Sequence, residues 1–200
     1  MKLISNLLLL IMAPATVAIL VIGKNFALGQ PANVRPFWSD ILAFVAQDEA
    51  RGFTYCRTLF VGSSSIRLWR SLVVDFPKRN VIRRGFGGAQ LTHVLQYFDL
   101  LIAPHRPSEI VLYAGENDLA SGRSPAEVLT ALKSLMKIKS QSLGATPVFF
   151  IAIKPSLYHW DKFNAQVQAN ARVKELAQLR KDLVFVDVVP LMLENGKPRK

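Results

Sequence analysis

The chain has 200 residues, half of them hydrophobic, with no repeat and no low-complexity tract, which fits one domain around one core. Its formal charge is +11, but the basic residues are scattered apart from short clusters at Arg83-Arg84 and Lys197-Pro198-Arg199-Lys200. No nucleic-acid motif and no basic stripe interleaved with aromatics accompanies them, so nucleic acid is set aside as a partner. The single cysteine, Cys56, excludes a disulfide within the chain and reads as a small buried residue; nothing near it has metal-ligand spacing, so no metal is expected.

The chain opens with Met1-Lys2 and an uncharged run from Leu3 to Gly23. About 20 apolar residues suffice to span a bilayer. A leading lysine and an apolar middle also fit a secretory signal, and the small residues Ala27 and Gly29 put a cleavage point after Gly29. The run is longer than the usual signal core, and Lys24 follows it. Residues 1–30 are therefore read as an export signal, cleaved or retained as a membrane anchor, with the globular domain at 31–200 periplasmic or extracellular.

"RPFWSDILAFVAQDEARG" has the spacing of an amphipathic helix ending at Gly52. "RTLFVG" predicts a buried strand, and "NVIRRG" a weaker one. "AQLTHVLQYFDLLIAPHRP" has helical spacing up to its prolines. "SEIVLYAG" predicts a buried strand closed by glycine. "SPAEVLTALKSLMKIKSQSLG" is the best helix, with Ser124 as cap, Pro125 in its first turn and Gly144 at its end. "TPVFFIAI" predicts the next strand, Asp161 to Lys181 a helix, and "LVFVDVV" the last strand. Apolar strands alternating with helices predict a doubly wound α/β domain of about five parallel strands, with ligands at their carboxyl ends.

Three of those strand ends carry unusual turns: Gly62-Ser63-Ser64-Ser65, then "RRGFGGAQ" with Gly85, Gly87 and Gly88, then "AGENDLASG" with Gly115, Glu116, Asn117 and Asp118. Singly, each is an ordinary turn. "GFGG" lacks the G-x-G-x-x-G spacing of a dinucleotide loop, and no lysine-bearing phosphate loop is present, so no cofactor is expected. Parallel strands bring the three turns to one edge, and there they make sense together for acyl transfer. A serine attacks a carbonyl, while a glycine N–H and an asparagine amide hold the oxyanion.

The blocks "GSSSIRLW", "GFGG" and "YAGENDL" resemble the SGNH (GDSL-like) hydrolases over roughly Arg57 to Lys200. The resemblance implies a flavodoxin-like α/β/α sandwich of three layers and hydrolysis of small-molecule, carbohydrate or lipid esters. It matches Ser64 to the nucleophile, Gly88 and Asn117 to the oxyanion hole, and Gly62, Gly115 and Asp118 to supporting positions. Ser63 stands where the family usually has aspartate, and Ser63 and Ser65 read as turn formers.

The family's base is the histidine of an Asp-x-x-His block after the last strand, and the 200 residues contain no such block there. His93, His105 and His159 read as surface or capping residues; His159 alone lies near the right edge, on the wrong loop. "ENGKPRK" reads as the turn leading into the block, so the chain is expected to resemble a longer hydrolase and to be impaired by itself. The other reading is a non-catalytic binding protein on the same fold.

Overall fold

The computed structural model describes residues 35–53 and 57–199. The expectations for the N-terminal segment and for Cys56 lie outside the described residues.

The described chain begins with α1 (Trp38–Arg51), which ends at Gly52 as expected. The five apolar runs form β1 (Thr58–Gly62), β2 (Val81–Gly85), β3 (Glu109–Tyr113), β4 (Val148–Ile151) and β5 (Leu183–Val186). They make one sheet in the order β2-β1-β3-β4-β5, every neighbouring pair parallel. A small antiparallel pairing, β6 (Leu193–Glu194) with β7 (Lys197–Pro198), follows.

The strand order determines which face each helix covers. From β1 the chain steps outward to β2, then crosses back past β1 and proceeds through β3, β4 and β5. Right-handed crossovers place connections running in opposite directions on opposite faces. Accordingly α2 (Ser64–Arg67) and α3 (Leu72–Asp75) lie on one face, over Phe60 and Tyr113, where Ile66, Leu72, Trp69 and Phe76 complete a small aromatic cluster. The other face carries α1 with α4 (Leu91–Gln96), α5 (Phe98–Leu101), α7 (Pro125–Leu143) and α8 (Phe163–Gln178), packed on Leu59, Val61, Ile110, Leu112, Val148 and Phe150. The fold is the expected doubly wound α/β sheet with helices on both faces. Among the described residues, the long helices share one face.

The helix at 125–143 has the predicted ends. The Ser124 hydroxyl accepts from the Glu127 N–H at 3.3 Å, and the Glu127 carboxylate accepts from the Ser124 N–H at 2.8 Å. Such a cap contributes about 1 kcal/mol. Near its other end, the buried Lys139 ammonium donates to the Gly144 carbonyl at 3.0 Å and to Asp182 at 2.5 Å, joining helix end to the start of β5. The segment from 91 to 105 is broken rather than continuous, as α4, α5 and a 3-10 turn at Ala103–His105. Tyr97 sits at the first break, fully buried, and its hydroxyl donates to the Pro36 carbonyl at 2.5 Å. Among the described residues no helix is long and apolar enough to cross a membrane.

Candidate active site

The register aligns the three turns. Gly62 stands level with Gly85 on one side and Tyr113 on the other, so β1, β2 and β3 end on one line. The β1/β3 boundary is also where the strand order reverses, the position at which open α/β sheets bind ligands.

At that boundary the backbones nearly touch. The Ser63 N–H donates to the Tyr113 carbonyl at 2.9 Å. Gly62 has φ +141, and a Cβ there would stand 1.9 Å from the same carbonyl oxygen, so only glycine fits. The chain then turns into α2, with the Ser63 carbonyl accepting from the Ile66 and Arg67 N–H groups, both at 3.1 Å. This turn separates the three serines. Ser63 is buried. Ser64, first residue of α2, is half-buried, and its hydroxyl is not hydrogen-bonded within the described residues. Ser65 reaches the Tyr113 phenol.

The second turn lies against the first. A Cβ on Gly85 would stand 2.2 Å from the Arg67 backbone nitrogen, so α2 rests directly on the end of β2. Beyond it Gly88 is exposed with φ +83, facing the Phe37 ring.

The third turn, with α6 (Glu116–Ala120), is tied to the second by side chains. The Asn117 amide donates to the Ala89 carbonyl at 3.0 Å. The buried Asp118 carboxylate accepts from the Leu91 N–H, its oxygens 3.1 and 3.3 Å away. Burial pushes the Asp118 carboxyl above the ordinary aspartate value, against the opposing effect of that N–H. Gln90 adds a bond to Ser121 at 2.9 Å and accepts from Arg123 at 3.2 Å. Gly115 starts this turn with its missing Cβ against Ile153.

Sequence reasoning missed the layer beneath. The Tyr113 hydroxyl donates to the Glu116 carboxylate at 2.7 Å, and the Ser156 hydroxyl donates to its other oxygen at 2.9 Å. Burial and the Glu116 charge hold the Tyr113 phenol well above its usual range, so it remains a donor. Lys154 stands 4.0 Å from Glu116. The only available signal was an acidic residue inside the third turn, and its partner from β4's loop is not adjacent in sequence.

The histidines divide as follows. His93 is a cap, its Nδ1 accepting from the Gln90 N–H at 3.1 Å, and burial lowers its pKa, keeping it neutral. His159 lies on the loop after β4, its ring against Tyr158 and its N–H on Ser156. His105 departs from the surface reading: it is fully buried beside Asp48, with Nε2 3.2 Å from the carboxylate. Burial lowers its pKa, although Asp48 opposes this. Among the described residues none of the three hydrogen-bonds Ser64, and no group of acidic residues, histidines and cysteines could hold a metal ion.

A parallel sheet of this order, with a serine turn at its reversal point, defines an α/β domain with a carboxyl-edge site. The chain belongs to the GDSL-like lipase/acylhydrolase family, whose model matches residues 55–200. Among solved structures it is similar to a protein from Streptococcus pneumoniae described as a platelet activating factor (18% identity, TM-score 0.71, covering 81% of this chain and 79% of that one). It is similar also to a GDSL-like lipase from Bacteroides thetaiotaomicron (18%, TM-score 0.67, 78% and 82%). A third is a catalytic mutant of an acetylxylan esterase from Geobacillus stearothermophilus (14%, TM-score 0.54, 69% and 78%). These identities speak to the fold. No curated protein matches the chain.

Proposed function

We propose that this protein is a serine esterase that cleaves small-molecule, carbohydrate or lipid esters, with Ser64 as nucleophile. The observation that carries the reading is the alignment of the three turns at one sheet edge, with α2 resting on Gly85 and Asn117 bonded to Ala89. In the reaction the Ser64 hydroxyl adds to the ester carbonyl and passes its proton to a base. The carbonyl oxygen becomes an oxyanion held by the N–H groups of Ser64 and Gly88 and by the Asn117 amide. One amide hydrogen of Asn117 is engaged by Ala89; the other is left for substrate. Collapse expels the alcohol, and water then releases the acid from the acyl-serine.

The reaction needs a base to take the Ser64 proton. Among the described residues no histidine pairs with Ser64. Loss of a triad member leaves about 10³–10⁴-fold catalysis over water from oxyanion hole and binding. The same observation favours a second reading, a binding protein for acyl compounds. Hydrolysis of p-nitrophenyl acetate in imidazole buffer separates them. The esterase gives a protein-dependent rate that rises with imidazole, which replaces the base, and that disappears in Ser64→Ala. A rate indifferent to Ser64 refutes the nucleophile assignment.

Export is part of the proposal and rests on the uncharged run from Leu3 to Gly23. Mass spectrometry of the mature N-terminus tests it. A product starting at Gln30 means cleavage, intact Met1 in the membrane pellet means an anchor, and intact Met1 in the cytosol refutes both.

A further inference from the structure

Beside the edge strand β2, toward the amino ends of β1 and β3, the structure holds a cavity of about 530 Å³. Five arginines from four places in the chain line it: Arg51 at the end of α1, Arg57 before β1, Arg70 before α3, and Arg83 and Arg84 on β2. One carboxylate, Asp48, lines it with them.

That carboxylate is engaged through Oδ1 by Arg84, while Oδ2, 3.2 Å from His105 Nε2, is buried without a hydrogen bond among the described residues. Arg84, buried at 6% exposure, pairs with Asp48 through Nη2 and donates to the Arg83 carbonyl through Nη1 at 3.0 Å. Arg83 donates to the Trp69 carbonyl at 2.8 Å. Arg51, Arg57 and Arg70 have no carboxylate partner among the described residues. Nε of Arg84 and Nε of Arg57 are buried without an acceptor among the described residues, behind the wall and not on it. The cations also work against one another: after burial, Arg51 and Arg57 both depress the pKa of Arg84, and Asp48 alone opposes them. The wall is thus built of hydrogen-bond donors and positive charge for which the described residues offer one anion.

We propose that this cavity, which wraps the open edge of β2, binds a phosphate-bearing ligand whose oxyanion is held by Arg51, Arg57 and Arg70. A tetrahedral phosphate presents several acceptor oxygens in different directions and satisfies guanidinium forks arriving from different elements. A carboxylate offers two coplanar oxygens and suits one fork. The carboxyl end of α1 brings about half a negative charge to the same place, which the arginines outweigh. The volume lies inside the range of about 300–1,000 Å³ typical of small-molecule sites. Phe44, Leu72 and Val81 line the remainder, so the ligand carries an organic group beyond the phosphate. This site is separate from the serine turn and does not depend on the esterase reading.

The test is calorimetric titration of the full chain with inorganic phosphate, against chloride at equal ionic strength. Saturable binding is expected, weakened about tenfold or more in Arg57→Gln/Arg70→Gln, where two charge-assisted donors are removed. It is unchanged in Arg172→Gln/Lys174→Gln on α8, which alters charge equally but away from the cavity. Arg70→Gln alone, at an exposed residue, gives a smaller loss and covers the case in which the double variant misfolds. Absence of saturable binding by the wild-type chain, or equal binding by the wild type and the folded Arg57→Gln/Arg70→Gln variant, overturns the proposal. Once phosphate binds, sedimentation with phosphatidylglycerol against phosphatidylcholine vesicles identifies its source. A phosphatidylglycerol-dependent increment lost in Arg57→Gln/Arg70→Gln assigns the ligand to a lipid headgroup. No such loss assigns it to a soluble phosphate ester.

Discussion

The side-chain amide of Asn117 donates to the backbone carbonyl of Ala89 at 3.0 Å, so the third turn of the site grips the second. In the proposed reaction this residue has two tasks, holding the glycine turn in place and offering its remaining hydrogen to an oxyanion. Asn117→Ala is expected to lower kcat by about 10²-fold or more, with a smaller change in KM, because the lost bond is stronger to the transition state than to the ester. The measurement is the protein-dependent esterase rate in imidazole buffer. A variant with normal kcat reduces the turn to a cap.

Ser64→Ala is expected to abolish that rate while leaving the thermal unfolding temperature within a few degrees of wild type, because the hydroxyl has no partner among the described residues to lose. Ser65→Ala keeps substantial activity, since that hydroxyl reaches Tyr113. If Ser65→Ala or Ser63→Ala is inactive and Ser64→Ala is not, the register is displaced by one residue.

The site was legible to the extent that it depended on strand ends. "RTLFVG" and "SEIVLYAG" are apolar runs closed by glycine, and parallel pairing then brings Gly62 level with Gly85 and Tyr113. The short helices were not legible, because α2, α3 and α6 have four or five residues, too few for a 3.6-residue period to register. The break at Tyr97 has no local mark, and the phenol there is held by the Pro36 carbonyl, 61 positions away. The Glu116–Ser156 bond joins side chains 40 positions apart, so the acidic residue in the third turn did not disclose its partner. His105 looked like a surface residue between Pro104 and Arg106 for the same reason; Asp48, which faces it, comes from α1.

Asp118 gives a pH prediction with a definite sign. Burial raises its folded pKa above 3.8, so the folded state holds its proton to higher pH than the unfolded state does. Stability from this group is present below 3.8 and declines as pH rises through the folded value. Asp118→Asn keeps an acceptor for the Leu91 N–H and removes the buried charge. The variant is expected to be at least as stable as wild type at neutral pH and to lose that advantage in acid. Asp118→Ala strands the N–H, which costs about 1–3 kcal/mol, and removes the same titration, so its loss against wild type is larger in acid than at neutral pH. Urea unfolding between acid and neutral pH checks both; a destabilised asparagine variant at neutral pH shows that the charge itself is needed.

Asp182 has the opposite sign. Burial tends to raise its pKa, but bonds from Arg180 and Lys139 prevail and lower it from 3.8 to about 2. Its contribution is therefore full above 3.8 and is lost as pH falls toward about 2. Lys139→Met removes the buried ammonium and leaves Asp182 with Arg180. The expected result is a shallower fall of the unfolding temperature with acid than in wild type. Identical slopes show that Lys139 acts by packing and by its bond to the Gly144 carbonyl alone.

Two glycine substitutions separate steric approach from backbone strain. Gly62 and Gly122 both have positive φ, +141 and +91, so alanine at either position is strained. Gly122 has nothing within 4 Å of the added carbon, whereas at Gly62 that carbon would stand 1.9 Å from the Tyr113 carbonyl oxygen. Gly122→Ala is therefore expected to cost about 1 kcal/mol, the order of a disfavoured backbone region. At Gly62 the carbon meets backbone, and backbone cannot rotate aside. The ends of β1 and β3 must part, breaking the Ser63 N–H bond to Tyr113 and displacing the turn that carries Ser64. Overpacking of this kind adds about 1–3 kcal/mol to the strain, so Gly62→Ala unfolds at distinctly lower urea than Gly122→Ala. What remains folded has lost esterase activity, while Gly122→Ala keeps it. Equal midpoints for the two variants mean that β1 and β3 separate freely, and the rigid placement of Ser64 at the reversal point of the sheet fails with them.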